Sequence, residues 1–164
     1  MDAAVARNVA HYSHVQRRDR HGEPIVEHVA RVVAAVPEEA RALAWLHDVL
    51  EHSPTTTAEL RGHGLTPVEL AALELLTRQP GESYELYILR IAYAPGPAGR
   101  LARVVKLADL DDHLARAWHA GDAPYAWARR HVAVGSARVD QTSSRPNARA
   151  RATASERDDA SSLR

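Results

Sequence analysis

The sequence predicts an all-α fold. Apolar residues recur at three- and four-residue spacings, Thr-Pro and Ser/Thr signals stand where helices would start, and strands are needed nowhere. The chain has 164 residues, enough for one domain and a tail. The reading places a compact helical domain at 1–138 and a disordered tail at 139–164. After Val139, Ser, Arg, Ala, Asp and Thr dominate and large apolar residues vanish until Leu163, too little to offset ordering entropy.

His11 and His14 lie at helical spacing on a first helix. Pro24 suits a first turn, and Val26, Val29, Val32, Val33 and Val36 then mark one helical face. Pro37-Glu-Glu opens the next helix, with acids at its positive end. That helix is expected to continue unbroken through Ala44-Trp-Leu-His-Asp-Val-Leu-Glu, apolar around most of its circumference and therefore central. Ser53-Pro54 stops it, and Thr57 or a neighbouring Thr caps a short helix through Leu60. Thr66-Pro-Val-Glu reads as a capping box leading to Leu76. Ser83 to Tyr93 forms another helix, Pro95-Gly-Pro breaks it, and Leu101 to about Trp118 resumes. A last helix spans Ala123 to about Val134.

Composition excludes several functions. Lys+Arg and Asp+Glu balance at 21 each, so no global basic field argues for nucleic acid or a membrane surface as partner. Zero Cys removes disulfides, thiolate ligands and cysteine nucleophiles, leaving any metal a nitrogen and oxygen shell. No leader pattern opens the chain, and no stretch approaches the roughly 18 apolar residues of a membrane span. The expectation is a cytoplasmic protein with a small-molecule partner; composition specifies no oligomeric state.

Polar residues inside apolar helices carry the chemistry, because burying them costs free energy unless they are paired or ligated. His47 and Asp48 interrupt the central helix, Asp109 ends the run Val104-Val-Lys-Leu-Ala, and His28 lies one turn into the Val-rich helix. Two imidazoles and two carboxylates make a mixed shell that suits Mn, Fe, Co, Ni or Zn better than Ca or Mg. Thus His28, His47, Asp48 and Asp109 are the expected metal ligands. His63, His119 and His131 read as surface or helix-end residues and His21 as part of a turn; neither these nor His11 and His14 are assigned as ligands.

The order of a His, then His-Asp, then a distant Asp resembles the HD superfamily of metal-dependent phosphohydrolases. Four segments sharpen the likeness. Gln16-Arg-Arg-Asp-Arg-His-Gly-Glu-Pro-Ile-Val-Glu-His, Ala44-Trp-Leu-His-Asp-Val-Leu-Glu-His, Leu75-Leu-Thr-Arg and Val104-Val-Lys-Leu-Ala-Asp occur in the order found in the alarmone (ppGpp) hydrolase domain of RelA/SpoT proteins and small alarmone hydrolases. The matches run from about His14 to Leu114.

The resemblance implies a manganese-dependent 3′-pyrophosphohydrolase acting on guanosine alarmones, with the same four metal ligands. It implies that Glu51 orients or deprotonates the attacking water; as i and i+4, His47 and Glu51 share a helix face. Arg17 and Arg18 match a basic pair that contacts the nucleotide, through stacking or bidentate phosphate contacts. Lys106 is either a pocket wall or a structural ion-pair partner. Four positions depart from the family text. His52 replaces an acid that helps activate water, and a His there can act as a general base or add a metal ligand. His113 replaces an Asn that holds the nucleotide sugar, Ile25 replaces a Tyr, and Val29 a Pro. These leave the metal site intact and open the substrate to another nucleotide or phosphate ester, or the chain to a non-catalytic nucleotide-binding role.

Overall fold

Capping chemistry sets most helix starts. In the computed structural model, which describes residues 1–19, 22–116 and 123–143, the Asp2 carboxylate accepts from Ala4 N at 2.8 Å and opens α1 (Ala3–Ser13). Pro24 precedes α2 (Ile25–Ala35). A 3-10 turn, Glu38–Ala40, leads into α3 (Arg41–Leu46), followed by the single-turn α4 (Val49–His52). Reciprocal capping boxes, Thr56 with Glu59 and Thr66 with Glu69, open α5 (Thr57–Gly62) and α6 (Pro67–Leu76). Ser83 caps α7 (Tyr84–Tyr93); α8 (Gly96–Ala115) and α9 (Ala123–Ser143) complete the order.

The all-α expectation holds: the described residues contain no strand, only an isolated antiparallel bridge between Arg18 and Pro24. Three boundaries differ. The helix expected to run unbroken from Pro37 splits at His47-Asp48, where Asp48 sits at φ −102°, ψ −5°, the sparsely populated bridge region. Helix α8 starts at Gly96 rather than Leu101, because Pro97 falls in its first turn, where a missing N–H costs nothing. Helix α9 runs past Val134 to Ser143, into the segment expected as tail. Residues 144–164 of that tail, and Trp118, lie outside the described residues.

Aliphatic side chains build the core, as the lack of Phe requires. Leu43, Leu46, Leu73, Ile88, Ile91, Val105 and Leu110 are fully buried. Helix α9 packs on α7 and α8, α1 on α3, α6 on α8, and α2 on α3 and α8. Gly135 permits the first of these contacts: a Cβ there would lie 2.2 Å from the Ala92 carbonyl oxygen. Arg103 is buried within this packing and its Nη1 donates to Ala94 O at 2.6 Å, placing a cation at the C-terminal end of α7. No helix among the described residues is long and apolar enough to cross a membrane. The arrangement leaves α2, the α3–α4 junction and α8 facing one another.

Candidate metal centre

Each of those three elements delivers part of one cluster. Helix α2 supplies His28, the α3–α4 junction supplies His47 and Asp48, and α8 supplies Asp109. On α8, Lys106, Asp109 and His113 follow at steps of three and four, so they share a face. The break between α3 and α4 matters here. Adjacent residues on a regular helix point about 100° apart, whereas at the junction His47 Nε2 and Asp48 Oδ1 come within 3.4 Å.

Asp109 Oδ1 is the hub. It lies 3.3 Å from His28 Nε2, 3.9 Å from His47 Nε2 and 3.2 Å from His113 Nε2. His28, His47 and Asp48 offer ligand atoms within 4.8 Å of one another, as do His28, Asp109 and His113; each set could hold a metal ion. Hydrogen bonds aim the imidazoles. His28 Nδ1 donates to Asp112 Oδ2 at 2.8 Å, and His47 Nδ1 donates to Ala44 O at 2.8 Å. In both rings this leaves Nε2 as the atom turned toward the carboxylates, and an outer partner on Nδ1 is the arrangement that orients a ligating His; Nε2 of His28 would give up its proton when it ligates.

His47 Nε2 tests the fit of a cation directly. It is buried and has no hydrogen-bond partner among the described residues, a state that costs roughly 1–3 kcal/mol. A cation between this nitrogen and the carboxylates of Asp48 and Asp109 would remove the penalty and balance their charge. The four residues expected as ligands from sequence therefore converge, and their donor set fits a divalent ion.

The electrostatics agree. Burial alone would raise the Asp109 carboxyl, but the Lys106 ammonium, with His113 and His28, reverses that and holds its pKa well below the usual range. Lys106 Nζ donates to Asp109 Oδ2 at 2.7 Å and lies 5.0 Å from the centre of the Tyr87 ring. Burial opposes protonation of His28, yet its bonds and charge interactions with Asp109 and Asp112, and the charge of Asp48, outweigh it and push its pKa up to about 9. The cluster thus holds positive charge strongly: without a metal, protons on His28 and Lys106 compensate the acids.

A cavity of about 360 Å³ opens over the cluster, within the range that holds small ligands. Asp48, His52, Lys106, Asp109 and His113 are among its lining residues. Lys106 is thus both things the sequence left open, a wall residue and a buried ion-pair partner. His113 stacks on Tyr125 with ring centres 4.7 Å apart and planes 5° from parallel, so its Nε2 points to Asp109 from the cavity mouth.

Other expected residues fall elsewhere. Glu51 is exposed; its Oε1 accepts from Arg78 N at 2.5 Å, and it lines a separate hollow with Thr77 to Ser83. Arg17 donates to the His52 carbonyl, while Arg18 Nη1 donates to Gly22 O at 2.7 Å; both line a third hollow beside His14 and Pro24. The i, i+4 argument for Glu51 presumed a continuous helix through His47, and the break at His47-Asp48 removes that premise.

Sequence reasoning missed Asp112, Arg31 and His14. Asp112 accepts from His28 and from Arg31 Nε at 2.6 Å, while Arg31 also bonds Glu23 at 3.0 Å. The available signal was Arg31 itself, a cation one turn beyond His28 on a Val-rich helix. His14 is buried, neither ring nitrogen has a partner among the described residues, and burial lowers its pKa to about 4 against the charge of Asp48. His63 is exposed at the end of α5, and His131 Nδ1 donates to Trp127 O at 2.8 Å, as surface and helix-end roles require. His21 and His119 lie outside the described residues. Compared with protein-family models and with curated proteins, the chain matches none.

Proposed function

We propose that this chain is a metal-dependent phosphohydrolase of the HD type, cleaving the 3′-pyrophosphate of a guanosine alarmone or a related nucleotide. One observation carries the reading: His47 Nε2, buried and without a hydrogen-bond partner among the described residues, faces Asp48 and Asp109 beside His28. The order of these four residues in the chain resembles the HD superfamily, and Mn²⁺ is the ion that the resemblance favours.

Held by His28, His47, Asp48 and Asp109, a divalent cation would supply Lewis acidity toward water and toward phosphoryl oxygens. The chain's own residues do the rest. His28 and His47 would turn Nε2 to the cation, Asp112 and the Ala44 carbonyl orient the two rings through Nδ1, and Lys106 keeps Asp109 ionised with Oδ1 directed inward. His52 lines the cavity wall, where it would face a water held over the cluster. Arg116 also lines the cavity, paired with Glu23 at 2.6 Å, so phosphate charge would be met there chiefly by the cation itself.

A second reading, hydrolysis of a different nucleotide or phosphate ester, is favoured by the positions of Glu51 and Arg18, which bond backbone groups away from the cluster. One experiment separates the two. Chelator-treated protein is resupplied with Mn²⁺ and incubated with ppGpp and with a panel of nucleotides, and products are identified. Release of pyrophosphate and GDP from ppGpp supports the first reading; cleavage of other nucleotides alone supports the second. Asp48→Ala should abolish cation binding and turnover, and full activity in that variant overturns both.

A further inference from the structure

We infer that His113 is a fifth protein ligand of the same cation, so that the centre is a three-His, two-Asp shell. This rests on the reading of the cluster as a cation site and goes beyond it, because the resemblance assigns position 113 to the nucleotide sugar. Three observations carry the inference.

The first is distance. His113 Nε2 is 3.2 Å from Asp109 Oδ1, as close as His28 Nε2 at 3.3 Å. Two donor atoms each about 2.1 Å from one ion stand roughly 3.0–4.2 Å apart, depending on the angle between them. The separations of 3.3, 3.9 and 3.2 Å from Asp109 Oδ1 to His28, His47 and His113, and of 3.4 Å between His47 and Asp48, fall in that window.

The second is that the two ligand sets describe one centre rather than two. Both contain His28, and its Nδ1 is engaged by Asp112, so only Nε2 can ligate. One imidazole nitrogen holds one ion. Asp109 cannot readily bridge to a second, because its Oδ2 is taken by the Lys106 ammonium at 2.7 Å. A second dication beside that ammonium would also be repelled.

The third is orientation. Stacking on Tyr125 with planes 5° from parallel fixes the His113 ring, and its centre lies 4.8 Å from that of His28. The nitrogen that would ligate is thus held in place before any cation arrives, which limits the entropy lost on binding.

A third imidazole changes the chemistry of the site. It raises the nitrogen share of the shell and moves its preference toward later first-row ions such as Co²⁺, Ni²⁺ and Zn²⁺, relative to Mn²⁺. In a six-coordinate shell it leaves one open position rather than two.

The test uses the full chain, stripped with chelator and titrated calorimetrically with Mn²⁺ and with Zn²⁺. The variant is His113→Phe, which keeps a ring to stack on Tyr125 and deletes the nitrogen; His113→Asn is the second variant should His113→Phe fail to fold by circular dichroism. Loss of the ligand is expected to weaken Zn²⁺ binding on the order of 10–100-fold, and Mn²⁺ binding less. X-ray absorption of the Zn²⁺-loaded protein should count three imidazoles in the wild type and two in the variant. Two imidazoles in the wild type, or unchanged affinity in the folded variant, overturns the inference while leaving the four-ligand site standing, provided Asp48→Ala still abolishes binding. If the wild type binds neither ion, the cation site itself is refuted, and this inference with it.

Discussion

Lys106→Met isolates the electrostatic logic of the centre. Methionine keeps most of the stem that packs beside Tyr87 and removes only the ammonium. The lost contact is a 2.7 Å ion pair whose side chains are 12% and 4% exposed, and removing one partner of such a buried pair costs about 3–5 kcal/mol. For a chain of this size each kcal/mol moves the melting temperature by about 2–4 °C, so the metal-free variant should melt roughly 6–20 °C lower. With Mn²⁺ or Zn²⁺ bound, Asp109 has a cation on Oδ1 and the ammonium matters less, so the loss should shrink below half. Thermodynamic linkage then requires tighter cation binding in the variant, by the difference between the two losses. Scanning calorimetry in chelator and in saturating cation measures both losses, and titration measures the third side of the cycle. Equal losses in the two conditions would refute the idea that Lys106 stands in for metal charge.

Two further predictions follow from groups around the ligands. Asp112→Asn weakens the partner that holds the His28 tautomer and the bidentate contact with Arg31, and should lower cation affinity about 10–100-fold with the helical content unchanged; calorimetric titration beside circular dichroism checks this, and wild-type affinity would show that Asp112 does not position His28. His14 has a folded-state pKa depressed from 6.5 to about 4. Below pH 6.5 the unfolded chain therefore takes up a proton that the folded one refuses, and this contribution to stability falls as pH drops from 6.5 toward 4, with no effect above that window. Urea unfolding across pH 7 to 4.5 should show a weaker decline in His14→Gln than in the wild type, and parallel curves would exclude His14 as the cause.

Much of this protein is local and therefore readable along the chain. Helix starts depend on side chains two or three residues away, as at Thr66 with Glu69 and Ser83 with Leu86, and apolar spacing reports which face is buried. The four expected ligands were visible because a polar residue within an apolar helix stands out wherever the helix goes. Boundaries that depend on backbone geometry were less visible: Pro97 reads as a breaker until it is known to fall in a first turn, and nothing in Leu46-His-Asp-Val announces a split helix.

What the sequence determined by itself was the all-α class, the order of the helices and the kinds of donor atom near one another. What only the tertiary structure decided was their partners. His28 finds Asp112 across 84 residues and Arg31 finds the same carboxylate across 81, and no periodicity encodes which helix faces which at that range. The same packing turns Glu51 toward Arg78 and brings His113 beside Asp109. Helix formation obeys forces acting over a few residues, whereas a metal centre is closed by packing of the whole core. That is why the donors were visible in the sequence and their arrangement was not.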